Sequence, residues 1–524
     1  MNMPRPSDLS PPLFKKRVRA HAQTVIRAFC GVASLFVGSS AISGTGTAAF
    51  ESLDLPSGRH QLFIDDFVLG NLYRVERVVH PLRKFGSPVI RADIPTDGNA
   101  IEMPDGPSWD AHAKVWKVWY WANGDHAGTG YAWSKNGLDW EKPNLGLVER
   151  NGDRNNNLIT VKGEPTAFIQ HVFLDPTASP ERRYKAMTGP HSRQPLVSAD
   201  GFVFTRLNVP SIPSHDTSHL TWDSLQEQYL MTVKLPGPFG RAVFLSLSRD
   251  FENWTTPELI YHADAIDQAL GAEHIREIQA NSRMWRPTIN RPSEYKTEIY
   301  NMPIFVYQGV YVGLPTYFES SGMIPLPRGN QDGTNSVKLS FSRDLRTWTR
   351  VGNRKHFIPV SEMGNGSLDT GQILAASHPI QMGEELWFYY TGIDVRYRPN
   401  TPNINDEFHG AIHLGRLRLD GFVSLRAGIE GGIIETRAVK FEGGRIYVNT
   451  DAAQGGIEAE IIDGTGRSPR PGWGRGEFIP IVGNHLRAEL CWKGHDGVKE
   501  LAGKVIRIRF YVKNADLFSF WPES

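Results

Sequence analysis

Ser248-Arg249-Asp250-Phe251-Glu252-Asn253-Trp254 reads as the end of a strand, a polar turn, and a tryptophan that opens the next strand. The same order stands at Trp133-Ser134-Lys135-Asn136-Gly137-Leu138-Asp139-Trp140 and at Ser340-Phe341-Ser342-Arg343-Asp344-Leu345-Arg346-Thr347-Trp348. Asp, Asn and Gly suit such turns because they tolerate positive φ and bond their own backbone. Ser198-Ala199-Asp200-Gly201-Phe202 is a degenerate fourth copy. A fifth returning strand, Ile412-His413-Leu414-Gly415-Arg416-Leu417, ends at Asp420-Gly421-Phe422.

A second unit precedes each copy: an apolar strand, a short turn and an aromatic-rich strand. The turns fall at Trp109-Asp110, Leu174-Asp175-Pro176, Trp222-Asp223, Tyr307-Gln308-Gly309 and Met382-Gly383. Strand, turn, strand, loop, strand, in that order five times, is the pattern of propeller blades, whose radial stacking leaves only short sheet edges. A stack of β-sandwiches is the competing arrangement, since it too uses short strands at similar spacing. The expected fold is therefore all-β, a five-bladed β-propeller over 50–427 followed by a C-terminal β-sandwich over 428–524. Leu62-Phe63-Ile64-Asp65-Asp66-Phe67-Val68-Leu69 is expected to complete the last blade and close the ring. Helical periodicity is confined to Asp264–Gln279, between the third and fourth units.

The 57 Lys and Arg residues against 56 Asp and Glu leave a net charge of +1. No field of one sign exists to draw in nucleic acid or an anionic membrane. The 14 tryptophans among many turns suit core packing first and sugar-facing surfaces second. Lys15, Lys16, Arg17, Arg19 and Arg27 precede an uncharged run from Ala28 to Ile42, then small residues to Ala49. That is the order of a secretory signal, so 1–49 is expected to direct export to the periplasm or medium, with no membrane attachment after cleavage; a basic tail is the alternative. With Cys30 removed, Cys491 would be the one cysteine left and no intrachain disulfide could form. The 17 histidines show no zinc-binding spacing, and no Gly-rich phosphate loop occurs, so the residues call for no metal and name no cofactor.

Leu62–Asp66, Arg182-Arg183-Tyr184-Lys185-Ala186, Ser248–Trp254 and Asn514-Ala515-Asp516-Leu517-Phe518-Ser519-Phe520 carry a family resemblance. The chain resembles the five-bladed glycoside hydrolase superfamily of families 32, 43, 62 and 68 with the family 130 phosphorylases. It is most similar to secreted bacterial proteins described as family-32-N-terminal-domain-like, over nearly the whole chain after residue 49. The Trp-x-Asn-Asp-Pro-Asn-Gly, Arg-Asp-Pro and Glu-Cys motifs of the fructosidases are missing, so fructan hydrolysis is not implied. Ser248–Trp254 lacks the glycine of a sialidase Asp box and is one residue short.

The resemblance implies an active site in a funnel on the ring axis, lined by the starts of the innermost strands. Glycoside hydrolysis needs one carboxyl held protonated and another ionised across the scissile bond. Counting back from each first turn gives Glu102, Asp216, Glu298 and Asp369, while the second unit offers His171. Asp216 is the expected ionised base or orienting carboxylate, Glu298 the acid and Asp369 the third member, with Asp65 in reserve; a polar contact at ring closure is its alternative role. Trp109, His171, His215, Tyr300 and Asn301 are candidate sugar contacts, each also plausible as packing. The turn residues Asp110, Asp175 and Asp223 are read as structural. The expected function is a secreted glycoside hydrolase acting on an oligo- or polysaccharide. Two alternatives stand: a non-catalytic glycan-binding propeller, and a phosphorylase in which Arg286 and His274 help hold phosphate.

Overall fold

The computed structural model describes residues 52–123, 128–364, 366–399 and 409–524. The expected export segment, 1–49, lies outside them. The fold is an all-β propeller. Each of the five sequence units forms an antiparallel meander. In the third, Ser218–Asp223, Gln228–Gly237, Gly240–Ser248 and Glu258–Tyr261 pair in chain order. The helix at Ala265–Ala280 follows, capped by Asp264 in a reciprocal pair with Asp267.

The sheets do not divide one to a unit, as the repeats alone suggest. Pro303 and Pro315 interrupt the fourth unit, because proline has no N–H to give a ladder. Lys296–Asn301, Thr316–Met323 and Gln331–Val337 therefore form one part. Ile304–Tyr307, Val310–Gly313, Ser340–Ser342 and Thr349–Arg350 form another. A bridge from Asn335 to Gln372 then joins the first part to the fifth unit in an eight-stranded sheet.

The expected closing stretch, Leu62–Leu69, is also elsewhere. Gln61–Leu62 pairs with Ala515–Glu523 and Leu69–Tyr73 with Gly432–Thr436, both in the eleven-stranded C-terminal sheet. Arg83–Lys84 is the N-terminal strand that pairs with Gly410–Arg418. The reason is burial: Phe63, Val68 and Leu69 find apolar partners in Val448, Phe510 and Phe520. In that sheet Arg445–Asp463 changes partner from Ala515–Glu523 to Ile506–Lys513 around Gly455. A Cβ on Gly455 would stand 1.9 Å from the Lys513 carbonyl, so only glycine fits there.

The repeated heptapeptide is a repeated hydrogen-bond pattern. Ser248 Oγ accepts from Phe251 N, Asp250 Oδ1 accepts from the N–H groups of Glu252 and Asn253, and Trp254 Nε1 donates to Phe251 O. Ser342, Asp344, Leu345 and Trp348 repeat it bond for bond. At the same end of the strands, where Ser134, Ser198 and Ser248 stand opposite Trp116, Tyr184 and Tyr229, Asp110, Asp175 and Asp223 accept backbone N–H bonds within their own turns. Each also accepts the phenol of the following unit, from Tyr184, Tyr229 and Tyr311 respectively. The turns thereby tie neighbouring units together. Removing the Tyr229 hydroxyl by Tyr229→Phe leaves buried Asp175 Oδ2 with only Lys185, 3.9 Å away. Denaturant unfolding should show a loss of about 2 kcal/mol; an unchanged midpoint would remove the tie from the account.

Candidate active site

Strands far apart in sequence meet around one cavity. Glu102 and Trp121 come from the first unit, Ser218 and His219 from the third, Asn301 from the fourth and Thr391 from the fifth. Wider hollows exist, one on the C-terminal sheet beside Tyr73 and Tyr511, but its Glu458 is taken by Arg475. The small cavity between the units is lined by one carboxyl residue, Glu102, and Asp216, exposed at its side chain, precedes the lining residue Thr217.

Glu102 stands at the end of a short strand paired with Ala122 and Trp121. Burial pushes its carboxyl up to about 6, with the nearby Asp216 charge adding to the rise and Asn123 and Lys234 opposing it. Asp216 behaves in the opposite way. Burial alone would raise it, yet the Lys234 ammonium paired with it, aided by Arg241 and Tyr300, holds it below the usual carboxylate range. Tyr300 Oη donates to Asp216 Oδ2 over 3.3 Å, and its ring lies 3.6 Å from Lys234 Nζ. Burial in turn brings Lys234 down to about 8 against the pull of Asp216. One carboxyl that keeps its proton up to about pH 6 and one that is ionised well below that sit within electrostatic reach of each other.

The other expected acids are placed differently. Glu298 is buried and both its oxygens accept from cations, Oε2 from Arg241 and Oε1 from Lys296 at 2.7 Å. A carboxylate engaged as acceptor at both oxygens is poorly arranged to donate a proton. Asp369 is closed into a network with Lys84 at 2.7 Å, Tyr390 at 2.9 Å and Ser367. It anchors the strand Arg83–Lys84 and does not line the cavity. Asp65 pairs with Arg343 at 2.8 Å, in the loop that enters the C-terminal sheet. It is likewise outside the site.

Among the expected sugar contacts, Asn301 lines the cavity and Tyr300 flanks it through Asp216. His215 is exposed beside Asp216, and its carbonyl accepts from Arg193. Trp109 is 43% exposed and packs on Trp116 at the turn end of its strand, away from these groups. His171 is buried instead of facing a sugar. Its Nδ1 bonds Asp105 at 3.0 Å and its Nε2 bonds Ser218 Oγ at 2.7 Å. This is the order of a hydrolase triad, but Arg193 Nε also donates to Ser218 Oγ, which is 2% exposed. The hydroxyl is committed on both sides and the group acts as a brace under the cavity.

His219 and Asn301 are better suited to hydroxyl recognition. His219 Nδ1 lies 3.1 Å from the Pro104 carbonyl, so it carries the proton and leaves Nε2 as an acceptor. Burial, then the neighbouring His171, bring His219 down to about 3, so the ring stays neutral. His219 and Asn301 interact through their side chains, and His219 Nε2 and Asn301 Oδ1 meet no other protein partner. The pair suits a ligand rich in hydroxyl groups.

Lys234, Trp121 and His219 were not singled out by sequence reasoning. Lys234 carried a signal: it is the one charge in Tyr229-Leu230-Met231-Thr232-Val233-Lys234-Leu235. Arg241 and Arg396 also reach this corner, stacking over Phe318 at 5.3 and 4.5 Å. Arg286 is exposed and His274 is paired with Glu319, so neither is part of this cationic corner.

No family model and no curated protein matches the chain. Solved structures similar to it include an N-acetylgalactosamine deacetylase from F. plautii, at 11% identity and TM-score 0.37, covering 67% of this chain and 96% of that one. A fructofuranosidase from Schwanniomyces occidentalis aligns at 9% identity and TM-score 0.36, covering 85% and 98%. An exo-beta-1,3-galactanase from Phanerochaete chrysosporium aligns at 10% and 0.33, covering 83% and 99%. What the chain does must be argued from its own residues.

Proposed function

We propose that the chain is an exported glycoside hydrolase in which Glu102 donates the proton to the leaving oxygen and Asp216 acts as the ionised carboxylate. The observation that carries this reading is the divergence of the two carboxyl groups, Glu102 up to about 6 and Asp216 below its usual range. Environments that push two neighbouring acids apart assign acid and base. Asn301 and His219 supply hydroxyl contacts, and Trp121 offers an apolar face for a pyranose ring. The five meanders are read as five blades of a closed ring over 50–427, with 428–524 as the appended sandwich and 1–49 as the cleaved export signal.

A phosphorolytic reading is favoured by the cationic corner of Lys234, Arg241 and Arg396, which suits an anion beside the acids. Screening the purified protein against a polysaccharide panel, with and without orthophosphate, separates these readings. Reducing sugar released without phosphate supports hydrolysis, and sugar phosphate formed only with it supports phosphorolysis. Tight binding with no product on any glycan would identify a binding propeller and overturn the enzymatic reading.

A further inference from the structure

The geometry points to a divalent transition-metal site formed by His274, Glu319 and His356. Sequence spacing could not reveal it, because the three residues come from three elements. His274 is on the helix Ala265–Ala280, Glu319 on the strand Thr316–Met323, and His356 just beyond the 3-10 turn Gly352–Arg354. One potential ligand atom from each lies within 4.8 Å of the other two.

A second observation is independent of that proximity. Glu319 is 1% exposed and its Oε1 has no hydrogen-bond partner; His356 Nε2, 3.9 Å away, has none either. The remaining Glu319 oxygen bonds His274 Nδ1, and the two imidazoles face one another with ring centroids 4.4 Å apart. A plain His274–Glu319 ion pair leaves two buried polar atoms unpaired, each at a cost of about 1–3 kcal/mol. A single cation between the three residues leaves none. Tetrahedral zinc, with ligand bonds of about 2.0–2.1 Å, places its ligand atoms about 3.3 Å apart. Closing separations of up to 4.8 Å to that spacing takes at most about 1.5 Å per pair, shared between the two side chains.

The donor chemistry agrees. Two imidazoles and one carboxylate suit zinc or another first-row divalent ion better than calcium or magnesium, which prefer all-oxygen shells. Each imidazole must ligate through an unprotonated nitrogen, so affinity should weaken as pH falls. The cation opposing metal entry is Lys338, which lies 4.1 Å from the Tyr317 ring and is electrostatically coupled to Glu319. When filled, the site would fasten the helix to the strand whose Glu319 pairs in register with Thr297, the residue before Glu298.

The test uses the untagged full-length mature protein, stripped with chelator and then titrated with zinc chloride by calorimetry, with bound metal counted by elemental analysis after desalting. One equivalent retained is expected, with a raised melting temperature. His356→Asn and Glu319→Gln should each weaken zinc binding at least tenfold, whereas His112→Ala, at an exposed histidine, should not. Glu319 is buried, so the His356→Asn variant and an unchanged far-UV spectrum keep the comparison valid if Glu319→Gln misfolds. Uptake below a tenth of an equivalent, or stoichiometry unaltered in His356→Asn, would overturn the site and leave a water bridging Oε1 and Nε2 as the occupant.

Discussion

Replacing Glu102 with glutamine is expected to lower turnover of a cleaved glycan by about 10²–10⁴-fold, the usual contribution of a general acid. Glutamine keeps the shape and the bond to Asn123 but has no proton to give. The loss should shrink on aryl glycosides whose leaving group departs without protonation. In the wild type, activity should fall as pH rises through about 6, where Glu102 gives up its proton. That limb should vanish in Glu102→Gln. Because burial makes ionised Glu102 unfavourable, the variant should also be more stable than wild type above that pH, a gain bought at the expense of catalysis. Glu298→Gln should behave differently, loosening Arg241 and Lys296 and raising KM while kcat stays within about tenfold. If Glu298→Gln abolished turnover and Glu102→Gln did not, the two roles would have to be exchanged.

The repeats made the architecture legible because each copy is bound by the same local rule. A serine and an Asp or Asn bond the turn, and the following tryptophan donates back to it. Such rules act over three to six residues and so are visible in sequence. Ring closure was not, because the choice between Leu62–Leu69 and Arg83–Lys84 is made by what each can bury hundreds of residues away. Both stretches are plausible strands; in Leu62–Leu69, Phe63 and Val68 enter the C-terminal core while Leu62 and Ile64 pack against Phe341 and Phe388 of the fourth and fifth units, so the stretch bridges two cores.

The site was partly legible for a related reason. Counting to equivalent positions located Glu102, Asp216 and Glu298, three carboxylates that the fold brings to the same corner. Counting could not say which of them would meet a cation. Glu298 and Asp369 became paired acceptors because Arg241 and Lys84 arrive from other strands, with Lys296 added from Glu298's own strand. Glu102 is raised because burial outweighs the opposing Asn123 and Lys234, and no cation is hydrogen-bonded to it. Role follows from the tertiary neighbour, and the neighbour is not in the local pattern.

Asp216→Asn should reduce turnover by at least about 10³-fold if this carboxylate is the nucleophile or the base. Its pH signature distinguishes a chemical role from a structural one. The Asp216 charge raises Glu102, so removing it should move the alkaline limb of any residual activity below about 6. Lys234→Met should do the reverse. Lys234 lowers both carboxyl groups, and without it burial pushes each of them up. The acid limb, set by Asp216, and the alkaline limb, set by Glu102, should then both shift to higher pH, with the optimum following. Two neighbouring substitutions that move the profile in opposite directions are expected only if Glu102, Asp216 and Lys234 share one electrostatic field at the reacting centre. Measuring kcat/KM from pH 3 to 9 for both variants checks this, and displacement in the same direction would break the assignment of acid and base.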